Sequence, residues 1–496
     1  MPSLRQKAVS GVVWSSILKF GKEGISFVVK LALARVLMPE EFGLIAMVSV
    51  FISISGMIAQ GGFGFSLVQS KELSNTDIET VFSINLLIGL LMAGVLWLTA
   101  PWISLFYGQE DLTQIMRVLC FVVFIRQLGS VHSSLFSRDM DYKQVAIASF
   151  PGLILSGIVG VWMAIEGYGV WALVTQTILS AIFSAAFKWY FSPWSPSLGI
   201  SVESAKRLFP FGARLMLHRF LNILFQNVYV LVIGRYYSAA ELAFYQRAKG
   251  LQMLPMLSIF DIFNRVTFPL MSRLADDRER RKKAFYKMMT LLAWIVFPGM
   301  ALLAAIGEPL IIVLIKEKWL PVVPFLQVLC FMGMLMTLNM LNASSISGMG
   351  RADLILKVTF INKVMIILNI VLTLPHGIMA MIVGQVVVTG AAVLMYMVLN
   401  RNVLEVSIAS QLKVILRPLL FSALIAASVF FGLQFLTVNA LLQLIAALLL
   451  GGALWWTGLY LSRSDFQEDL IMLAEQYPKL SSILRLTGFL RPLPSK

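Results

Sequence analysis

Apolar stretches long enough to cross a lipid bilayer recur along almost the whole of this 496-residue chain. A bilayer core about 30 Å thick requires about 20 apolar residues in a helix that rises about 1.5 Å per residue. Only 13% of the residues are charged and 58% are hydrophobic, whereas about 25% of the residues in a soluble domain are charged. The sequence therefore excludes a soluble globule and predicts an all-α, polytopic membrane protein.

The apolar windows and the polar breaks between them predict about fourteen transmembrane helices. The predicted spans are 9–37, 42–68, 80–106, 112–135, 145–165, 168–191, 208–236, 241–271, 285–315, 322–347, 354–374, 378–400, 414–437 and 440–461. They divide into two lobes of six helices and one further pair. The predicted boundaries are 1–207 for the N-terminal lobe, 208–406 for the C-terminal lobe, 407–461 for the extra pair and 462–496 for an amphipathic cytoplasmic tail.

The formal net charge of +15 is unevenly distributed over the predicted connections. One alternate set of connections contains most of the Lys and Arg residues, including the run Arg273–Lys283, whereas the other contains acidic turns such as Pro39–Glu41. Lys and Arg resist translocation and therefore orient a membrane protein. We accordingly predict that both termini are cytoplasmic and that the basic face meets anionic lipid headgroups and not nucleic acid.

The chain resembles itself at an offset of 200 residues. The segment Ala34–Ile45 matches Gly234–Tyr245, and each combines the end of a long span, a tight acidic turn and the start of the next span. At the same offset Lys19 matches Arg219. Two halves that begin on the same side of the membrane form a parallel repeat, related by a pseudo-twofold axis along the membrane normal. We expect two such lobes to enclose a central cavity.

At this point the sequence resembles a known family. The segment Leu33–Leu44, the motif Phe209–Ala213 and the later pairs Val232–Arg235 and Tyr245–Ala248 are similar to polysaccharide-export flippases of the Wzx type. These flippases belong to the multidrug/oligosaccharidyl-lipid/polysaccharide (MOP) exporter superfamily. The segments Arg265–Pro269 and Glu317–Pro324 resemble the colanic-acid subgroup.

The resemblance implies an alternating-access transporter in the inner membrane of a bacterium. Its expected cargo is an oligosaccharide repeat unit on undecaprenyl pyrophosphate, moved from the inner to the outer leaflet for the assembly of exopolysaccharide, capsule or lipopolysaccharide. A polysaccharide polymerase and export machinery are the expected protein partners. The energy source would be a proton or sodium gradient, since the sequence contains no phosphate-binding loop for ATP and suggests no cofactor.

A sugar-pyrophosphate headgroup needs basic groups inside the membrane, because an unpaired anion is very unfavourable in hydrocarbon. In the first span, Lys19 and Lys22 lie on one helical face with Ser26. In the seventh span, Arg214, His218, Asn222 and Gln226 recur at four-residue steps, with Arg219 beside them. Arg126 in the fourth span is a third basic candidate. We predict that these eight residues bind the headgroup in a cationic cavity.

Several of these residues have a structural alternative. Lys22 and Glu23 could neutralise one another, Arg214 could lie one turn inside the cytoplasmic surface and bind lipid headgroups, and Arg126 could be buried against a carbonyl of a neighbouring helix. Glu23 and Asp261 are candidates for binding a coupling ion, because intramembrane carboxylates take up protons readily. Cys120 and Cys330 lack the spacing of a metal site, so no metal is expected.

Two other functions compete with the flippase hypothesis. An exporter of drugs or organic cations would require an acidic cavity, whereas the intramembrane charges in this chain are mainly basic. A membrane-embedded polysaccharide polymerase would require a long outer loop with catalytic residues, whereas the predicted outer connections are short. The sequence therefore favours a transporter that is not an enzyme.

Overall fold

The computed structural model describes residues 4–70, 72–436 and 438–462, except for the side chains of 4–13, 65, 209–215, 217, 218, 257, 258 and 260–262. Within these ranges the regular elements are eighteen α-helices and two short 3-10 helices, with no strand. The prediction of an all-α fold is confirmed. The predicted amphipathic tail, from residue 463 onward, lies outside the described residues.

The chain divides into two compact units, of which the first spans residues 1–246. Its helices are α1 (Leu4–Val36), α2 (Pro39–Gln60), α3 (Phe63–Gln69), α4 (Asn75–Tyr107), α5 (Asp111–Leu119), α6 (Phe121–Leu128), α7 (Ser130–Arg138), α8 (Tyr142–Ile165), α9 (Val170–Phe191) and α10 (Val202–Tyr236).

The second unit spans residues 247–496. Its helices are the larger part of α11 (Ala239–Arg273), then α12 (Arg278–Ala305), α13 (Gly307–Ile315), α14 (Val322–Gly348), α15 (Ala352–Thr373), α16 (Ile378–Val403), α17 (Ile408–Gln434) and α18 (Ala440–Leu461). The two 3-10 helices are Glu317–Trp319 and Leu374–His376.

Eleven helical segments in the described part of the chain are long and apolar enough to cross a membrane. One of them, Asp111–Arg138, comprises α5, α6 and α7. The helices α1, α10 and α11, of 33 to 35 residues, are also long enough to cross a membrane. They lie where the sequence predicts spans 1, 7 and 8. With these three the number is fourteen, as predicted.

Within the second unit, the last two helices, α17 and α18, pack on α12 through aromatic and aliphatic side chains. Helix α17 lies against α12, where the rings of Trp294 and Phe421 are 5.6 Å apart between centroids. Trp455 of α18 donates its indole N–H to the backbone carbonyl of Trp294 at 2.9 Å. A buried indole N–H needs such an acceptor, so this bond helps to fix α18 on α12.

Helix α10 packs on α2, α3 and α4 and therefore belongs to the first unit. The predicted lobe boundary after residue 207 follows the sequence repeat and stays a prediction, as does the cavity expected between the lobes. The packing follows from specific contacts at the start of α10. Asp77, which is buried, accepts a hydrogen bond from Arg207 at 2.5 Å, and Ser66 donates to the backbone carbonyl of Leu208 at 3.0 Å.

The sequence repeat has a local structural counterpart. The backbone N–H of Met38 donates to Glu41 Oε2 at 2.6 Å, and the backbone N–H of Ser238 donates to Glu241 Oε2 at 3.0 Å. In both cases the third residue of a helix caps that helix's own N-terminus. Because the two acids are 200 residues apart, the structure repeats the same helix start in both halves of the sequence.

Three predicted spans are divided in the structure, and one of them is 112–135, which is split among α5, α6 and α7. The span 42–68 is divided between α2 and α3, because Gly61 and Gly62 adopt positive φ angles of 52° and 72°. Glycine takes this left-handed conformation without steric cost. The sequence predicts one continuous span here, and the turn at these two glycines divides it. The span 285–315 is likewise divided, between α12 and α13.

The two repeated helix starts meet at a close backbone contact. A Cβ atom built on Gly43 of α2 would overlap the backbone carbonyl of Ala239, the first residue of α11. Gly56, thirteen residues further along the same helix, has no heavy atom within 4 Å of a Cβ built there. Small residues allow this kind of approach between membrane helices, so the contact depends on glycine at position 43.

We expect Gly43→Ala to destabilise the protein by about 1–3 kcal/mol, because an added methyl group forces the two backbones apart. The matched substitution Gly56→Ala should leave the stability unchanged or raise it by about 1 kcal/mol, since alanine is the better helix former. Thermal unfolding of both variants in detergent measures the difference. Equal melting temperatures for the two variants would contradict the tight contact at Gly43.

Candidate functional site

The first unit contains an open cavity of about 680 Å³. Its volume lies in the range of small-molecule sites, about 300–1,000 Å³. Polar residues from seven helices line it: Ser26 of α1, Gln60 of α2, Asn85 of α4, Arg126 of α6, Ser130, Ser133, Ser134 and Ser137 of α7, Gln176, Thr177, Ser180, Ser184 and Lys188 of α9, and Arg219 of α10.

Cations dominate the charge of this cavity. Arg126, Lys188 and Arg219 are lining residues, and the described lining contains no carboxylate. Lys188 interacts electrostatically with Arg126 and with Lys22 of α1. Within the described part of the chain, neither Lys22, Arg126 nor Lys188 has an anionic partner. Like charges held together without a counter-ion favour the binding of an anion.

The position of Lys188 depends on a glycine in the adjacent helix pair. Gly129 separates α6 from α7, and a Cβ built on it would lie 3.1 Å from Lys188 Cδ and 3.5 Å from Lys188 Nζ. Real Cβ atoms rarely make contacts as short as the first of these. The absence of a side chain at Gly129 therefore leaves room for the lysine to pass along the cavity wall.

One face of α7 supplies a row of hydroxyl groups. Ser130, Ser133, Ser134 and Ser137 follow helical spacing and line the cavity together. Each hydroxyl donates to a backbone carbonyl three or four residues earlier, at 2.8–3.2 Å. A hydroxyl that has donated its proton still has lone pairs to accept with. The row therefore presents hydrogen-bond acceptors to a ligand that carries O–H or N–H groups.

Asn85 adds a buried acceptor beside this row. Its side-chain amide donates to Ser130 Oγ at 3.3 Å, and its carbonyl oxygen Oδ1 has no partner among the described residues. Asn85 is 1% exposed and lies in the cavity wall. Since buried polar atoms are normally hydrogen-bonded, Oδ1 is suited to accept from a bound ligand or water.

Glycines at the turn between α2 and α3 and at the start of α3 also shape this cavity. Gly62 and Gly64 are lining residues, and a Cβ built on Gly64 would lie 2.9 Å from Ser134 Oγ. Arg138 at the end of α7 donates to the backbone carbonyls of Leu67 and Ser70, at 2.8 and 2.7 Å. The turn at residues 61 and 62 thus allows α3 to pack against the serine helix.

The structure brings together part of the predicted site. Of the predicted residues, Arg126 and Arg219 line the cavity, and Lys22 is near it through its interaction with Lys188. Lys19, Asn222 and Gln226 are not lining residues of this cavity, and Glu23 is exposed. The side chains of Arg214, His218 and Asp261 lie outside the described residues. The roles assigned to all ten residues stay predictions.

Lys188 and the serine face of α7 are not among the predicted site residues. Lys188 precedes Trp189 and Tyr190 at the end of an apolar window, a pattern typical of a residue at the membrane surface. The serines at 130, 133, 134 and 137 do have a helical spacing that could have been noticed. Their spacing identifies a shared face, but only the packing of α7 shows that this face lines a cavity.

These features define a polytopic helical membrane protein with an anion-attracting cavity. The chain belongs to the family described as polysaccharide biosynthesis protein, whose model matches residues 32–324. The resemblance to polysaccharide-export proteins found in the sequence motifs is thereby confirmed.

Two relatives and one solved structure show the extent of the similarity. The chain is 25% identical over 361 residues to the lipopolysaccharide biosynthesis protein WzxC of Escherichia coli (strain K12), covering 72% of this chain and 73% of the relative. It is 28% identical over 329 residues to the succinoglycan biosynthesis transport protein ExoT of Rhizobium meliloti (strain 1021), covering 66% and 67%. Its fold is similar to that of the lipid II flippase MurJ in an inward closed conformation, with a TM-score of 0.71, 15% identity and coverage of 93% and 100%.

A cysteine placed in the cavity should report its charge. We expect Ser184→Cys to react about tenfold faster with a negatively charged thiosulfonate than with a positively charged one, because the cations concentrate anions. The native Cys120 and Cys330 are buried and should contribute little background.

Adding Lys188→Met should reduce this preference, whereas Ser195→Cys in the exposed connection between α9 and α10 gives the intrinsic ratio of the two reagents. Labelling rates measured by mass spectrometry provide the comparison. The same ratio at Ser184→Cys and Ser195→Cys would contradict a cationic cavity.

Proposed function

We propose that this protein is a flippase that moves lipid-linked oligosaccharide repeat units from the inner to the outer leaflet by alternating access. The carrier lipid is undecaprenyl pyrophosphate, and the products serve the assembly of exopolysaccharide, capsule or lipopolysaccharide. The observation that carries the proposal is the group formed by Lys22, Arg126 and Lys188, which interact electrostatically through Lys188 beside a polar cavity in a membrane protein.

The chemistry of the cavity suits the two parts of such a headgroup. Charged residues inside membranes are costly and usually serve a substrate or ion pathway. A diphosphate offsets that cost by pairing with the lysines and with the guanidinium of Arg126, which donates two parallel hydrogen bonds. The serine face of α7 and Asn85 accept hydrogen bonds from sugar hydroxyls. The polyprenyl tail remains in the surrounding hydrocarbon.

The comparisons support the same class of cargo. The relatives are named for lipopolysaccharide biosynthesis and for succinoglycan biosynthesis transport, and the solved structure is named as a flippase of lipid II. The family match covers more than half of the chain. Together with the cationic cavity, these names favour a transporter of lipid-linked sugars over an exporter of organic cations, which would require acidic lining residues.

The location, energy source and partners are part of the proposal. We place the protein in a bacterial inner membrane with both termini in the cytoplasm, and we propose transport without enzymatic activity or cofactor. A proton or sodium gradient would drive it, with Glu23 or Asp261 as ion ligand. Its partners would be the lipid-linked substrate, membrane lipids, a polymerase and the export machinery.

The test is an export assay in cells that lack the chromosomal copy of this gene. Lys188→Ala and Arg126→Ala should reduce the appearance of labelled repeat units in the outer leaflet by about tenfold or more, because each removes a charge-assisted contact to the diphosphate. Lys188→Arg should retain much of the activity. Lys206→Ala, which removes an exposed lysine on α10, is the matched control.

Membrane levels of each variant are measured by immunoblotting, so that loss of protein is distinguished from loss of transport. If repeat units still reach the outer leaflet at the normal rate in cells without this protein and without a redundant transporter, the proposed function is wrong. If transport requires the protein but tolerates both alanine variants, the assignment of the cation group is wrong.

A further inference from the structure

One face of α9 carries a row of polar side chains along the cavity wall. Gln176, Ser180, Ser184 and Lys188 recur at four-residue steps, and all four are lining residues. Side chains at this spacing lie above one another on the same face of a helix. Twelve residues separate Gln176 from Lys188, so at 1.5 Å per residue the polar face is about 18 Å long.

The two serine hydroxyls on this face are unlike those elsewhere in the cavity. A serine or threonine hydroxyl in a membrane helix commonly donates its proton to a carbonyl of its own helix, as Thr177 does to Leu173 at 2.8 Å. Among the described residues, Ser180 and Ser184 make no hydrogen bond, and neither does the side-chain amide of Gln176. All three side chains are half-buried and border the cavity. Their donors and their acceptors are therefore both available to a ligand.

This property distinguishes the face of α9 from the serine face of α7. The α7 hydroxyls have given their protons to backbone carbonyls, so they can only accept. A sugar hydroxyl donates one hydrogen bond and accepts others, and a chain of sugars therefore needs both kinds of partner along its length. The face of α9 supplies both kinds, whereas an apolar ligand would leave these groups unsatisfied.

We infer that this face of α9 is a sugar-binding surface that recognises several consecutive sugar units of the cargo. The inference rests on the anion site of the proposed function, because Lys188 at one end of the face holds the diphosphate. The sugar joined to the diphosphate then contacts Ser184, and the following units contact Ser180 and Gln176. A single sugar ring is much shorter than this face, so its length fits an oligosaccharide better than a monosaccharide.

The experiment measures binding of three soluble probes to the purified full-length protein in detergent. The probes are inorganic phosphate, glucose 1-phosphate and maltotriose 1-phosphate, and isothermal titration calorimetry gives their affinities. Phosphate reports on the Lys188 end of the face alone. The wild-type protein should bind the three probes with increasing affinity in this order, because each added sugar gains hydrogen bonds along α9.

Substitutions along the face should act according to their distance from Lys188. Ser184→Ala should weaken the binding of both sugar phosphates by about threefold or more, the usual effect of losing a neutral hydrogen bond. Gln176→Leu should weaken maltotriose 1-phosphate by a similar factor and leave glucose 1-phosphate unchanged, because it lies about 18 Å further along the helix. Lys188→Met should weaken all three probes.

The matched controls change the same residue types away from the cavity. Gln114→Leu alters an exposed glutamine on α5, and Ser195→Ala alters an exposed serine between α9 and α10. Both should bind all probes as the wild type does. Ser180→Ala, which removes a single oxygen, tests the middle of the face in case Gln176→Leu fails to fold. Size-exclusion chromatography checks every variant.

The outcomes separate this inference from the proposed function. A loss of sugar-phosphate affinity that depends on position along α9, with phosphate binding retained, supports the sugar-binding face. If maltotriose 1-phosphate binds no more tightly than phosphate, or if the variants at 176, 180 and 184 bind it normally, the inference is overturned and the anion site stands. If the wild type binds none of the probes, the anion site is wrong and the inference falls with it.

Discussion

In the hydrocarbon core of a membrane, each backbone polar group and each charge must be satisfied within the protein or by a ligand. The described part of the chain meets the backbone requirement with helices throughout. The serines of α7 obey the same rule, because their hydroxyl protons return to carbonyls of their own helix. Lys22, Arg126 and Lys188 have no anionic partner among the described residues, and Lys188 interacts electrostatically with the other two. The proposal that an anion occupies the cavity follows from this grouping of uncompensated charges.

The helical content and the number of spans were predictable, because a helix needs about 20 mainly apolar residues to cross the bilayer and such windows are visible in the sequence. The starts of α2 and α11 were also visible, since the capping acids Glu41 and Glu241 act within four residues of each start. The break at Gly61 and Gly62 was not predictable, because glycine permits both a turn and close helix packing, and the sequence alone does not distinguish the two.

The candidate site was predictable only where a charge interrupts an apolar window. Arg126 and Arg219 each place a charge inside an apolar window, which indicates a role in packing or function. Both line the cavity. Lys188 stands at the end of its window and has the sequence pattern of a surface residue. The polar face of α9 illustrates a further limit, because its four-residue spacing is present in the sequence but its position on the cavity wall is not. The face of a helix that lines a cavity depends on which helices pack against its other faces.

The repeated helix start at Met38–Glu41 and Ser238–Glu241 differs between its two copies in the number of side-chain hydrogen bonds. In the later copy the Ser238 hydroxyl donates to Glu241 Oε2 at 2.9 Å and accepts from the Glu241 backbone N–H at 3.2 Å. Methionine in the earlier copy has no hydroxyl for these two bonds. The glutamate therefore suffices to cap the first helix, whereas in the second the residue before the helix doubles the connection, so α11 can lose either of two side-chain bonds and still keep its first turn closed.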